Sequence, residues 1–318
     1  MTAIDVLTIG ESLGLLVPEQ PGRLAHVRGV TLGFGGAESN VAIGVARLGG
    51  SAAWVSRVGS DGLGSLIVRE IRAEGVEVHA AVDEDAATAL MIKERPRPGV
   101  SRVTYYRSAQ AGSRLTASDV PPGVVERARI LHVTGISAGL GSGPLAAIHS
   151  AIDRAKAAGV RVSFDVNHRS ALWRDGRDAA AAYRALASRA DIVFAGDDEA
   201  AILTGATDAR DQLDAIRALG AETAVIKLGA NGAIASQGDR VVTRGAKPVE
   251  VVDTVGAGDA FVAGWLAESA LSSPLDRCID VAISCGALAC TVDGDWEAAP
   301  SRSDLAAFHS SAVDPVQR

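Results

Sequence analysis

The sequence predicts an α/β fold in which a mostly parallel sheet is covered by helices on both faces. Short β-branched or aliphatic runs alternate with Ala-rich helical stretches, the rhythm of successive βαβ units. Hydrophobic residues make up 47% of the 318-residue chain but aromatics only 4%, so the length allows a sizeable core and the composition makes it aliphatic. Two segments break the alternation, 12–34 with Pro18, Pro21 and several glycines, and 88–107 with two β runs around the Pro96–Gly99 turn. Both read as hairpins, and such excursions between βα units would form a small flap beside the main sheet, a common cover for an active site.

In chain order, the pattern predicts a strand over 6–9, a helix over 39–48, a strand over 53–58 and a helix over 62–74 ended by Gly75. Beyond the second interruption it predicts strands over 130–133, 160–164, 192–194 and 224–227, with helices around 145–158 and 179–189. Helices starting near Ala260, Leu275 and Ser303 close the fold. One domain over 1–310 is expected, with a frayed tail at 311–318 and no internal repeat.

Charge and composition narrow the function. There are 31 basic and 38 acidic residues, a net charge of −7, and no basic run that could follow a phosphate backbone, so nucleic acid is not an expected partner. The start, Met1-Thr2-Ala3-Ile4-Asp5, enters a strand pattern without a basic or long apolar leader, and no window reaches the length of a membrane span. A cytoplasmic protein with no membrane partner is expected. Cys278, Cys285 and Cys290 are odd in number and crowd one helical stretch, which fits buried thiols rather than a disulfide framework. The six histidines are scattered without an HExxH pattern, giving zinc chemistry no support.

The most informative stretch is Asp253-Thr254-Val255-Gly256-Ala257-Gly258-Asp259, running into the apolar segment that starts at Ala260. Its glycines let successive N–H groups converge at the mouth of a helix, a favourable place for an anion, and Asp259 stands beside it where it can take a proton from an attacking hydroxyl. That combination suggests phosphoryl transfer to an alcohol; a Gly-rich turn with an Asp cap also opens many ordinary helices. Gly35-Gly36-Ala37-Glu38-Ser39-Asn40 offers Ser39 and Asn40 behind a glycine pair and could seat a polyhydroxylated ligand, although Ser39 is also a plausible helix cap. In Arg102-Val103-Thr104-Tyr105-Tyr106-Arg107, strand alternation places Arg107 with Tyr105 and Arg102 with Tyr106, and a Tyr with an Arg can grip a carboxylate, or simply decorate an edge strand. Phe164-Asp165-Val166-Asn167-His168-Arg169 ends a strand with Asp165, Asn167 and Arg169 on one face, where parallel sheets bind ligands. Lys227-Leu228-Gly229-Ala230-Asn231-Gly232 could bring backbone to a nucleotide phosphate and reads equally as a hairpin turn. A P-loop is absent, as is a Gly-x-Gly-x-x-Gly after the first strand, which weighs against P-loop NTPases and dinucleotide dehydrogenases.

Together these motifs resemble the ribokinase-like (PfkB) carbohydrate kinases, over nearly the whole chain and in order. The resemblance implies a doubly wound α/β domain with a β-sheet lid, ATP and Mg²⁺ as cosubstrates with room for a monovalent cation, and transfer of the γ-phosphoryl group to a sugar hydroxyl. It makes Asp259 the base, Gly256, Ala257 and Gly258 the anion hole, and Lys227, Gly229 and Gly232 nucleotide neighbours with Gly256 and Gly258. Within the family the chain is most similar to the 2-keto-3-deoxygluconate kinases, which implies a sugar-acid substrate meeting Gly35, Gly36, Ser39, Asn40, Tyr105, Tyr106, Arg107, Asn167, Arg169 and Asp295. Two departures stand out. Gly196-Asp197-Asp198-Glu199 keeps Glu199, expected to reach the metal through water, but lacks the family's Asn, leaving Asp197 or Asp198 to compensate; Met91 stands where these enzymes tend to place a Tyr. Kinases for fructose, ribose or 2-keto-3-deoxygalactonate, an idle sugar-binding sensor of the same fold, and homo-oligomerisation through the lid remain open on the sequence.

Overall fold

In the computed structural model, which describes residues 3–97 and 100–310, the chain alternates strands and helices around one large sheet. The strands are β1 Ile4–Ile9, β2 Leu13–Pro18, β3 Val30–Gly35, β4 Ala52–Gly59, β5 Glu77–Asp83, β6 Leu90–Arg97, β7 Val100–Tyr106, β8 Ala128–Thr134, β9 Arg161–Asp165, β10 Ile192–Gly196, β11 Thr223–Lys227, β12 Ala233–Gln237 and β13 Arg240–Arg244. The helices are α1 Ala37–Arg47, α2 Gly62–Ala73, α3 Gly135–Gly139, α4 Ser142–Ala157, α5 Ala179–Ala187, α6 Asp197–Thr204, α7 Ala209–Ala218, α8 Ala257–Ala270, α9 Leu275–Ala289 and α10 Arg302–His309.

Among the described residues the large sheet runs β13-β12-β11-β10-β9-β8-β1-β4-β5. Neighbours from β11 to β5 pair in parallel, while β11–β12 and β12–β13 are antiparallel. Alternate residues of each parallel strand enter different apolar layers, as the pleat requires. Leu7, Leu131 and Phe164 join one layer with Ile148 of α4 and Leu186 of α5, while Val6, Ile130 and Phe194 join the other with Ile43 of α1 and Val262 of α8. The doubly wound, mostly parallel sheet is therefore built as expected.

Helix α8 is apolar around most of its circumference because it lies between the large sheet and helices α1 and α9. A Cβ on Gly44 of α1 would lie 2.6 Å from Ala263, and one on Gly264 would lie 2.8 Å from the Cys285 sulfur of α9. Such close contacts seat α8 tightly against α1 and α9.

The two interrupting segments form the hairpins β2–β3 and β6–β7, which join through a parallel β2–β6 pair into a small sheet ordered β3-β2-β6-β7. Strands β5, β12 and β13 extend the large sheet beyond the predicted pattern, so the 227–232 segment is the turn of an antiparallel pair. Helix α1 begins at Ala37 with Gly36 as its N-cap; Ser39 lies inside the first turn and donates to the Gly36 carbonyl (3.0 Å) instead of capping. Pro98 and Gly99 of the expected 96–99 turn, and the 311–318 tail, lie outside the described residues. Among the described residues no helix is long and apolar enough to cross a membrane.

Candidate active site

The carboxyl ends of β1, β9, β10 and β11 and the N-termini of α1 and α8 meet the inner face of the small sheet around a cleft of about 760 Å³. At the mouth of α8, Gly256 is the N-cap with φ 77°, and a Cβ there would stand 1.8 Å from the Asp295 carbonyl oxygen. Only glycine fits. The first amides of a helix have no intrahelical acceptor, so this turn offers donors and the positive end of a dipole to the cleft.

Asp259 follows in the first turn of α8 and lines the same cleft. Asn40 of α1 donates through Nδ2 to Asp259 Oδ2 (2.8 Å) and to Asp295 Oδ1 (3.0 Å), and the Gly36 amide, donating to Asn40 Oδ1 (3.3 Å), orients the bridging side chain. Burial pushes the Asp259 carboxyl up to about 6 against the pull of Asn40 and Arg169. Burial and the neighbouring Asp259 push Asp295 up to about 7. A half-buried carboxylate with a raised pKa beside the N-terminus of a helix is a suitable proton acceptor near neutral pH.

Five cationic side chains line the cleft, and among the described residues four have a carboxylate partner. Lys227 Nζ donates to both oxygens of Asp165 (2.8 and 2.9 Å); burial opposes its charge, but Asp165 and Glu199 outweigh that and hold its pKa above the usual lysine value. Arg107 is buried and holds Glu11 through Nε (2.8 Å) and Nη2 (2.5 Å). Lys93 pairs with Asp253, and Arg95 with Asp293 at 3.0 Å. The fifth, Arg169, is exposed, donates to the His168 carbonyl (3.1 Å) and has no carboxylate within ion-pair distance among the described residues.

The cleft brings together most of the residues singled out from the sequence: Gly36, Asn40, Tyr105, Arg107, Asn167, Arg169, Glu199, Lys227, Gly229, Gly256, Gly258, Asp259 and Asp295 all line it. Tyr106 does not. It is 55% exposed, because alternation along β7 turns Val103, Tyr105 and Arg107 inward and Tyr106 away. Gly35 and Ser39 sit behind the wall: a Cβ on Gly35 would come within 1.6 Å of Asp295 Oδ2, and Ser39 accepts from Ser12 Oγ at 2.7 Å. Arg107 differs from the expected free grip, since Glu11 already neutralises it. Glu199 accepts from the amides of Gly196 (2.7 Å) and His168 (2.8 Å), and Asp197 and Asp198 are exposed outside the cleft lining.

Two cleft residues, Glu11 and Lys93, carried no motif, and Glu38 stood in the Gly35–Asn40 stretch with no role of its own. Glu11 directly follows Gly10 after the first strand, a strand-end position that could have drawn notice. Glu38 is buried and accepts from the hydroxyls of Thr134 and Ser137, both at 2.7 Å. Burial raises the pKa of both carboxyls. Lys93 alternates with Met91 along β6, and both face the cleft.

A second cavity of about 580 Å³ shares Lys227, Gly229, Thr254 and Gly258 with the cleft, and its far wall is apolar, including Val251, Phe261, Ile283 and Ala287. Ala257 and Gly232 line this cavity. Gly232 has φ 93°, and a Cβ there would meet the Arg244 carbonyl at 2.0 Å. Among the described residues no group of His, Cys, Asp and Glu could hold a metal ion by itself. A magnesium ion bound mainly by phosphate and water asks less of the protein, and Glu199, though held by two amides, lines the cleft.

The family model for pfkB family carbohydrate kinases matches residues 3–302. A 2-dehydro-3-deoxygluconokinase of Bacillus subtilis (strain 168) is 35% identical over 311 residues, covering 97% of this chain and 96% of its own. One of Thermoproteus tenax is 38% identical over 307 residues, covering 94% and 92%. A 2-dehydro-3-deoxygalactonokinase of Haloferax volcanii and a fructokinase of Klebsiella pneumoniae are each 32% identical, covering 93% and 94% of this chain and 93% and 97% of their own. Among solved structures, the fructokinase of Vibrio cholerae O395 in its fructose, ADP and calcium ion bound form is similar with a TM-score of 0.85 and 30% identity, covering 96% of this chain and 98% of that one.

Proposed function

The chain belongs to the pfkB family of carbohydrate kinases, and from that premise we propose that it phosphorylates the terminal hydroxyl of 2-keto-3-deoxygluconate, giving the 6-phosphate. The observation that carries the sugar-acid reading is Arg169, the cleft cation without a carboxylate partner among the described residues. A substrate carboxylate would complete it. Gly36, Asn167 and Tyr105 would shape the sugar pocket, and Asn40 would hold Asp259 and Asp295 in place.

The Asp259 carboxylate would take the proton of the attacking hydroxyl, while the amides of Gly256, Ala257 and Gly258 stabilise charge on the transferring phosphoryl group. ATP would place its base in the apolar second cavity and its phosphates past Gly229 and Lys227 toward the shared wall. Magnesium accompanying the nucleotide would offset phosphate charge, with Glu199 reaching it through water. Cytoplasmic residence belongs to the same reading, as does pairing with a second copy through the small sheet, where Val30 is 42% exposed and Tyr106 faces outward. Sedimentation equilibrium tests that pairing.

The neutralisation of Arg107 by Glu11 favours a second reading, a kinase for a neutral sugar such as fructose. ADP release measured across 2-keto-3-deoxygluconate, 2-keto-3-deoxygalactonate, fructose, ribose and adenosine separates the two. Turnover of the keto acid that depends on Asp259, and loss of its preference in Arg169→Ala, supports the first. Turnover of a neutral sugar alone discards that substrate and keeps the reaction.

A further inference from the structure

We infer that Lys93 is a positioning residue through which the small sheet sets the electrostatics of the anion-binding turn, acting on Asp253. The inference rests on the reading of residues 256–258 as a phosphoryl cradle. Met91, Lys93 and Arg95 occupy alternate positions of β6 and all face the cleft. Lys93 Nζ donates to Asp253 Oδ2 across the gap between the two sheets, with both side chains largely buried.

Asp253 is anchored on the other side. Its amide and that of Val252 donate to the Cys290 carbonyl (3.2 and 2.8 Å) at the end of α9, and its Oδ1 accepts from the Val255 amide (3.3 Å) inside the turn that leads to Gly256. The lysine thus joins a strand of the small sheet to a carboxylate three residues ahead of the α8 cap. Two positions along the same strand, Arg95 reaches Asp293, two residues before Asp295, whose carbonyl packs on Gly256. Both contacts converge on one turn. The outer pair is exposed and screened, whereas the inner pair is buried, and a buried carboxylate stripped of its cation is strongly disfavoured.

An unneutralised Asp253 would also oppose the negative charge that the neighbouring amides are to receive. When β6 lies over the cleft, Lys93 cancels that charge; when the small sheet moves away, the cradle loses affinity for the phosphoryl group. Cover over the sugar and readiness of the cradle are therefore the same event.

The test compares Lys93→Met, Asp253→Asn and the double variant, reading kcat, sugar KM and thermal melting with ATP, Mg²⁺ and the panel sugar that the parent enzyme turns over. Lys93→Met should lower kcat by about a hundredfold with sugar KM little changed. In the Asp253→Asn background the same substitution should cost little, because the charge to be neutralised is gone. That comparison holds even if Lys93→Met alone fails to fold. Losses that multiply, or a raised sugar KM at constant kcat, would overturn the role given to Lys93 and make it a direct substrate contact. Asp259→Asn, run alongside, separates the two layers: retained turnover there sinks the reading of the site itself.

Discussion

If Asp259 is the base proposed above, its carboxyl sets the pH dependence of the site. A proton acceptor must be ionised, and burial raises this carboxyl to about 6. The rate constant kcat/KM should climb with pH and level off above that value; an unchanged rate down to about pH 5 would remove Asp259 as the base. The same shift has a thermodynamic sign. Because the folded pKa lies above the unfolded one, the native state holds the proton more tightly, and its stabilising contribution is full below the ordinary aspartate range and lost as pH rises through about 6. Asp259→Asn removes that loss, so the inactive variant should be the more stable at about pH 8, by on the order of 1–2 kcal/mol once solvent at the half-buried carboxylate is allowed for. Thermal melts at both ends of the range check the sign. The two arginines should part company as well. Arg107→Ala leaves Glu11 buried without its partner and should cost about 3–5 kcal/mol of stability. Arg169→Ala, at an exposed position, should leave melting within about 0.5 kcal/mol and act on the choice between keto acid and neutral sugar.

At the scale of elements, β7 shows how one strand divides its neighbours between cleft and solvent. Tyr105→Ala should raise the sugar KM about tenfold or more, whereas Tyr106→Ala should stay within about twofold; equal effects would mean that β7 is turned over when substrate binds. The motif Asp253 to Asp259 was legible because its chemistry is local, a turn and a helix end within seven residues. The parallel strands inside the large sheet were legible as continuous apolar runs. Strands β5 and β13 were not, since at the sheet edges their residues are largely exposed or half-buried and leave no such run. Pairs that join distant elements leave no sequence signal: Arg107 meets Glu11 across 96 positions and Lys93 meets Asp253 across 160. That Arg169 is the cleft cation without a carboxylate partner among the described residues could be told only once the pairs of its neighbours were known.

For the whole molecule, the carboxyl ends of the parallel strands hold the cleft from one side and the small sheet holds it from the other. Ligands that bridge the two should stabilise the fold by mass action. Nucleotide or sugar at a hundredfold excess over its Kd should add about 2.7 kcal/mol, and both together more than either alone if they draw the sheets together; melting scans with ADP, sugar and the pair measure this. No gain from both over one would mean that the two sites do not communicate. The cleft and the apolar cavity also share a wall of only four residues, Lys227, Gly229, Thr254 and Gly258. A single molecule carrying a sugar-acid mimic at one end and adenosine at the other, joined by a phosphate-length tether, would pay for its second docking only once. Its two weak halves would bind as one tight inhibitor, and the optimum tether length would measure, in solution, the path a phosphoryl group has to travel.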